Sequence, residues 1–185
     1  MKSLVACICA VLSLSACIAH DTFSNGRNVG HEMLAVELMQ PLKEDAQYLG
    51  IADGDTFKLS DVDADILIIQ FFSMYCPQCQ VETEDVNDFF ARIREKSEGC
   101  SVKIIGIGFA NSDFEVALFK KKFKVAFPLF PDVYGDIARR FQVSSTPYYV
   151  VIERTQYKHF RVIHEHNGKM QDPENFLNTI LCKME

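Results

Sequence analysis

The stretch Asp65-Ile-Leu-Ile-Ile-Gln-Phe-Phe-Ser-Met-Tyr-Cys-Pro-Gln-Cys-Gln-Val-Glu82 decides the fold of this chain. Its first eight residues form a nearly continuous apolar run, which is typical of a strand buried on both faces of a sheet. After Cys79 the period changes, because the apolar residues between Val86 and Ile93 recur at helical spacing. The stretch therefore predicts a buried strand, a turn that carries two cysteines, and a helix.

Strand and helix patterns continue to alternate downstream. Further strands are expected over residues 102–109, 128–130, 147–152 and 160–165, and further helices over 112–123, 137–141 and 172–181. A short turn joins the last two strands, so this pair is antiparallel and the sheet is mixed. We expect an α/β fold with a central mixed β-sheet and helices on both faces.

An N-terminal β-hairpin extension is predicted before this sheet. Tyr48–Ile51 and Thr56–Leu59 read as two short strands, and Asp53-Gly54 between them is a common hairpin turn pair.

The first residues read as a targeting segment rather than as part of the fold. Leu4–Leu14 is apolar but too short to span a bilayer as a helix, and it leads into Leu14-Ser15-Ala16-Cys17. This ending resembles the lipobox of bacterial lipoprotein signals, which implies lipidation of Cys17. We predict a signal peptide over 1–16, a lipidated N-terminus and tether over 17–45, and the folded domain over 46–185. Cleavage at an ordinary small-residue site is the alternative, and the protein is exported in either case.

Composition limits the function classes. The net charge of −6 leaves no basic footprint for nucleic acid, so no nucleic-acid partner is expected. Of the seven cysteines, Cys7 and Cys9 would leave with the signal peptide. With Cys17 lipidated, four would remain in a compartment where disulfides form: Cys76, Cys79, Cys100 and Cys182. Whether Cys100 and Cys182 pair with each other is left open.

The motif Cys76-Pro77-Gln78-Cys79 lies where the buried strand gives way to the helix. A helix N-terminus offers unpaired N–H groups and about half a positive charge, which favour a thiolate. Pro77 fits the first helical turn, because its missing N–H costs nothing there. We expect Cys76 to attack a substrate disulfide and Cys79 to resolve the mixed disulfide.

Other uses of a C-x-x-C pair fit this sequence less well. Structural zinc needs four ligands, and no second cysteine or histidine pair has a suitable spacing. Gln80 replaces the histidine of a c-type haem attachment motif. His164 and His166 share one face of a strand, but an exposed strand end is favoured over a metal site. We therefore predict no metal and no cofactor, with an inert disulfide or zinc as the alternatives.

Residues 71–82, from Phe71 to Glu82, resemble the active-site segment of the TlpA/ResA thioredoxin-like family. The similarity continues through Ile104–Gly108, Phe127–Leu129 and Val143–Pro147, and it covers about residues 48 to 182. It implies a thioredoxin-like fold and an extracytoplasmic thiol–disulfide reductase, often membrane-anchored. The implied partners are protein thiol or disulfide substrates and a membrane or periplasmic electron donor. The implied location is the periplasmic or extracellular side of a membrane.

Several family roles correspond to residues of this chain. Thr146-Pro147 matches the cis-proline loop that faces the sulfurs and pairs with a substrate backbone. Glu82 matches a carboxylate near the site that accepts a proton during exchange, with an exposed helix glutamate as the alternative. Gln70 matches the uncharged amide of this subgroup, and a hydrogen-bonded core amide is the alternative.

The sequence also departs from the family pattern. Tyr75 replaces the usual tryptophan before the first cysteine and keeps an aromatic surface. Glu84 replaces the proline that usually kinks the active-site helix, so a straighter helix is expected. Ile69 and Ser73 stand where peroxiredoxins need proline and threonine, so a peroxide pocket is not indicated.

These observations favour an extracytoplasmic thiol–disulfide oxidoreductase that acts through the C-P-Q-C motif as a protein disulfide reductase. The alternative is a non-catalytic thioredoxin-fold protein that binds a client or a metal.

Overall fold

The computed structural model describes residues 27–29, 31–96, 100–155, 159–170 and 172–182. The predicted signal peptide over 1–16 and the predicted lipidation site Cys17 lie outside these residues. The strands are β1 Arg27–Val29, β2 Glu37–Met39, β3 Thr56–Lys58, β4 Ile66–Phe72, β5 Val102–Phe109, β6 Leu129–Asp132, β7 Tyr148–Arg154 and β8 Phe160–Asn167. The helices are α1 His31–Leu34, α2 Lys43–Leu49, α3 Pro77–Val81, α4 Thr83–Lys96, α5 Asp113–Phe123, α6 Asp136–Arg140 and α7 Pro173–Cys182.

Six of these strands form one sheet in the order β1-β8-β7-β4-β5-β6. The β4–β5 and β5–β6 pairs are parallel, whereas β4–β7, β7–β8 and β1–β8 are antiparallel. All seven residues of the central strand β4 are buried, as its apolar run predicts. The prediction of a mixed α/β sheet is confirmed.

Helices cover both faces of this sheet, and alternate residues of β4 enter the two cores. Phe71 packs in the core that also holds Leu34, Leu49 and Phe141, which come from or adjoin α1, α2 and α6. Phe72 packs in the opposite core, whose members include buried side chains of α4, α5 and α7: Val86, Phe89, Val116, Phe119, Leu177 and Ile180. Cys79 belongs to this second core, so the packing of α4, α5 and α7 fixes the depth of the site.

A small antiparallel pair precedes the main sheet, but its first strand differs from the prediction. β3 pairs with β2, and Leu38 lies opposite Phe57. The strand predicted over Tyr48–Ile51 is wrong, because residues 48 and 49 close α2. Ala46 and Leu49 are buried at helical spacing, and Gly50 ends the helix with φ of 67°.

The folded part of the chain begins earlier than the predicted boundary at residue 46. The predicted tether over 17–45 includes α1, β2 and part of α2. Leu34 is fully buried, and Val36 and Leu38 are nearly so, in the core beneath the sheet. The tether prediction is therefore wrong for residues 31–45. Apolar residues are spaced between polar ones there, and α1 and β2 bury their apolar face in the core.

Among the residues that the structure describes, no helix combines the length and the apolar character needed to cross a membrane.

Candidate active site

Cys76 and Cys79 sit together at the start of α3. Cys76 is the N-cap residue and Pro77 follows at the first helical position. The backbone N–H of Cys79 donates a hydrogen bond to the Cys76 sulfur over 3.2 Å. Neither cysteine forms a disulfide, so the structure holds the dithiol. The predicted pair is thus held in the geometry of a capped helix terminus.

The two thiols have different surroundings. Cys76 is half-buried, whereas Cys79 is only 1% exposed. Burial raises the pKa of the Cys79 thiol well above its ordinary value, and the Cys76 side chain raises it further. Cys79 is therefore protonated at neutral pH. The outer sulfur is the one that an incoming disulfide can reach, and the inner one needs a proton acceptor before it can attack.

The loop before β7 closes the site from the other side. The Thr146-Pro147 peptide bond is cis, as expected. The Cys76 thiol donates a hydrogen bond to the carbonyl oxygen of Thr146 over 3.3 Å. The structure thereby brings Cys76, Cys79, Thr146 and Pro147 together from two distant parts of the chain.

The turn before Cys76 is held by the start of α5. The backbone N–H of Met74 donates to the side-chain oxygen of Asn111 over 2.8 Å, and Asn111 is fully buried. The Tyr75 hydroxyl donates to Glu115, which also closes the capping box with Ser112. Tyr75 nevertheless remains 68% exposed, so its ring offers an aromatic surface next to Cys76.

The active-site helix is interrupted at Glu82 even though no proline is present. α3 ends at Val81 and α4 begins at Thr83. The Thr83 hydroxyl donates to the carbonyl oxygen of Cys79 over 2.9 Å, a contact that bends helices. The break spans one residue, and Glu82 itself keeps right-handed helical dihedrals, so the expectation of a straighter helix from Glu84 stays a prediction.

Glu82 points into the protein from this break and is fully buried. Its carboxylate oxygens accept hydrogen bonds from Gln70 Nε2 and from the backbone N–H of Met170, each over 3.1 Å. Burial raises its pKa to about 7, while these donors and the Tyr149 hydroxyl act in the opposite direction. The alternative of an exposed helix glutamate is wrong, because Glu82 faces the core that contains Cys79.

Gln70 is a hydrogen-bonded core amide, and its partners tie it to this carboxyl group. It is 5% exposed and donates both to Glu82 and to the Tyr149 hydroxyl, the latter over 3.0 Å. It lies directly opposite Tyr149 in the β4–β7 register.

Sequence reasoning missed Tyr149, Met170 and Asn111. One signal was available for Tyr149, because it follows Pro147 by two positions and so shares its face of the strand. Met170 acts through its backbone N–H, and Asn111 acts through a contact with the turn before Cys76. Neither contact leaves a periodic signal in the sequence.

Other candidate residues lie apart from the thiols. The His164 and His166 rings are stacked with an angle of 12° between their planes. No group of three or more metal-ligating side chains occurs in the described part of the chain. Cys100 is half-buried just before β5, and Cys182 is the last residue of α7, so their pairing stays an open question.

Fold and site together define a class: an α/β protein of thioredoxin-like fold with a C-x-x-C dithiol at a helix N-terminus beside a cis-proline loop. The family model described as AhpC/TSA family matches residues 30–169. The chain belongs to the AhpC/TSA family.

Relatives with assigned names support this class. A thiol–disulfide oxidoreductase ResA from Bacillus thuringiensis subsp. konkukian is 25% identical over 130 residues, which cover 69% of this chain and 70% of the relative. The ResA protein of Oceanobacillus iheyensis is 23% identical over 95 residues, 51% of this chain, so the match spans about half of that relative (47%). The predicted resemblance to ResA proteins is confirmed.

Solved structures show the same fold. StoA from Bacillus subtilis superposes with a TM-score of 0.57 at 18% identity, covering 80% of this chain and 98% of StoA. A secreted Mycobacterium tuberculosis disulfide oxidoreductase gives a TM-score of 0.59 at 16% identity, covering 83% of this chain and 99% of that chain. The predicted thioredoxin-like fold is confirmed.

Proposed function

We propose that this chain is an extracytoplasmic thiol–disulfide oxidoreductase that reduces disulfides of exported proteins through Cys76-Pro77-Gln78-Cys79. The observation that carries the proposal is the paired position of the sulfurs, with the Cys79 N–H 3.2 Å from the Cys76 sulfur and the Thr146 carbonyl 3.3 Å from it. The half-buried Cys76 sulfur suits attack on a substrate disulfide, and the buried Cys79 sulfur suits resolution of the mixed disulfide.

The exchange proceeds in two displacements. The Cys76 thiolate attacks one sulfur of the substrate disulfide, a mixed disulfide forms, and the departing substrate thiolate takes up a proton. Cys79 then loses its proton and attacks the Cys76 sulfur, which releases the second substrate thiolate. Two electrons pass to the substrate and a Cys76–Cys79 disulfide remains. A membrane or periplasmic thiol donor returns two electrons to this disulfide.

Glu82 accepts the proton that Cys79 loses. Its pKa of about 7 leaves a useful fraction of carboxylate at neutral pH, and its hydrogen-bond partner Met170 lies in the same core as the inner thiol. Thr146 offers its backbone to the substrate chain, and the exposed ring of Tyr75 supports the chain on the other side of Cys76.

We propose the reductase direction from the resemblance to ResA-type proteins. Strong oxidants of this kind are oxidising because their reduced form is stabilised, so the redox potential of the Cys76/Cys79 pair decides between the two directions. A redox titration against glutathione tests the direction. A potential below about −230 mV supports a reductase, and one near −120 mV would instead mark an oxidant.

Membrane attachment is proposed from the N-terminal sequence alone. Cys17 carries the anchor after cleavage of residues 1–16, and a second acyl chain makes the attachment stable. The full chain expressed in a bacterial host partitions into detergent, whereas Cys17→Ser stays in the aqueous phase. Aqueous partition of both proteins overturns the anchor without affecting the exchange chemistry.

Reduction of insulin by the reduced protein tests the activity. We expect Cys76→Ser to abolish turnover, and Cys100→Ser, a matched control away from the site, to retain it. Equal rates for Cys76→Ser and the unmodified chain would overturn the proposal. Retention of a metal or client without any exchange would support a binding protein instead.

A further inference from the structure

Tyr149 is a fully buried tyrosine whose hydroxyl belongs to a polar cluster with Gln70 and Glu82. Its ring packs against Phe176, with the ring centres 5.6 Å apart, and against His166 at 6.2 Å. These contacts from β8 and α7 hold the ring and orient its hydroxyl.

The hydrogen atoms of the cluster can be assigned by counting donors. The side-chain nitrogen of Gln70 has two hydrogens, and it donates to Glu82 over 3.1 Å and to the Tyr149 hydroxyl over 3.0 Å. The Tyr149 oxygen is thus an acceptor toward Gln70, and its own hydrogen is available for another partner. The Gln70 amide thus bridges the Tyr149 hydroxyl and the Glu82 carboxyl group, and the hydroxyl favours the charged form of Glu82.

We propose that Tyr149 is a positioning residue for thiol–disulfide exchange, which holds the Glu82 carboxyl group in its charged, proton-accepting form beneath Cys79. This inference rests on the proposed function and deepens it. Gln70 and the Met170 N–H donate to this buried carboxylate, and Tyr149 anchors the Gln70 amide that reaches it. Tyr149 keeps its own proton throughout, and the transferred proton passes from the Cys79 thiol to Glu82.

The charged and titratable groups around this cluster agree with that role. Lys169 favours the charged form of Glu82, and its ammonium also pairs with Asp85 over 2.9 Å. Burial and then the negative charge of Glu82 raise the pKa of Tyr149 well above its ordinary value, so its hydroxyl stays a donor. Cys79 also lies within electrostatic reach of Tyr149, and His166 is held at the carbonyl oxygen of Lys169 over 3.1 Å.

Tyr149→Phe tests the proposal because it removes the hydroxyl and keeps the ring. We expect the Glu82 titration, followed by NMR of the side-chain carboxyl carbon, to move up by about one pH unit. The pH midpoint of the exchange rate should move in the same direction. Tyr148→Phe is the matched control, since Tyr148 precedes it on the opposite face of β7 and its hydroxyl lies 3.4 Å from Glu165. This control should leave both midpoints unchanged.

Tyr149→Phe is also introduced into the Glu82→Gln variant, which separates a positioning role of Tyr149 from a general effect on the structure. If Tyr149 acts through the carboxyl group, Tyr149→Phe causes no further loss of exchange rate once Glu82 is Gln. An unmoved Glu82 titration in Tyr149→Phe, or an equal loss of rate in both backgrounds, would overturn the proposal. A wild-type chain without exchange activity would reject the proposed function, while the NMR titration would still decide the role of Tyr149.

Discussion

The Cys76 thiol donates a hydrogen bond to the carbonyl oxygen of Thr146, and the two residues are 70 positions apart in sequence. The contact joins the start of α3 to the cis-proline loop, so the reactive sulfur and the backbone beside it form one surface. A disulfide that reaches Cys76 therefore also meets the Thr146 backbone. The geometry of this surface depends on how the turn before Cys76 is held.

Asn111→Ala removes the acceptor that holds the Met74 N–H. Because Asn111 is fully buried, we expect a loss of about 1–3 kcal/mol in unfolding free energy, measured by urea denaturation. The exchange rate should also fall, since the turn that carries Cys76 is released.

Asn87→Ala is the matched control for Asn111→Ala. Asn87 also holds two backbone groups, at Lys124 and Ala126, but it lies on α4 away from the thiols. The Asn87→Ala variant should be less stable than the wild type, but its exchange rate per folded molecule should be unchanged. Equal rate losses in both variants would contradict the role given to Asn111.

Glu82 makes stability depend on pH in a specific window. The pKa of Glu82 is about 7 in the folded chain, whereas the ordinary pKa of a glutamate is 4.5. Between these two pH values the folded state therefore binds more protons than the unfolded state. The unfolding free energy therefore falls as pH rises from 4.5 to 7, by about 3 kcal/mol from this group. Urea denaturation across this range measures the slope.

Glu82→Gln should remove that part of the slope, and the exposed neighbour Glu84→Gln should retain it. An identical slope in wild type and Glu82→Gln would show that the buried carboxyl group is not the source.

Gly108→Ala tests the packing of α5 against the sheet. An added Cβ would lie 2.7 Å from the Val116 side chain and 3.2 Å from Asn111 Cβ. Val116 is β-branched and has little rotational freedom, so we expect a loss of about 1–3 kcal/mol in thermal or urea denaturation. Gly54→Ala, where the nearest atom is 3.4 Å away, should change stability little. Equal stabilities of the two variants would contradict this packing.

The sequence predicted the parts of the site that depend on local pattern. The apolar run of β4, the strand-to-helix position of Cys76 and the capping box at Ser112 each follow from short-range rules, and the structure contains all three. The cis bond before Pro147 was expected through the resemblance to a family and not from spacing.

The parts that were missed depend on contacts between distant residues. Tyr149 meets Gln70, and Met170 meets Glu82, only after distant parts of the chain have packed, at separations that no periodic pattern encodes. The one-residue break at Glu82 was missed because no proline or glycine stands at positions 80–84 to mark it. The early start of the domain was missed because α1 and β2 are four and three residues long.

Trapping with Cys79→Ala tests the central claim most directly. The reduced variant is mixed with a peptide that contains a disulfide, and the adduct is mapped by mass spectrometry after proteolysis. Cys76 should carry a stable mixed disulfide, because the sulfur that would release the peptide is gone. An adduct on Cys100, or none on Cys76 while Cys79→Ala remains folded, would contradict attack by Cys76.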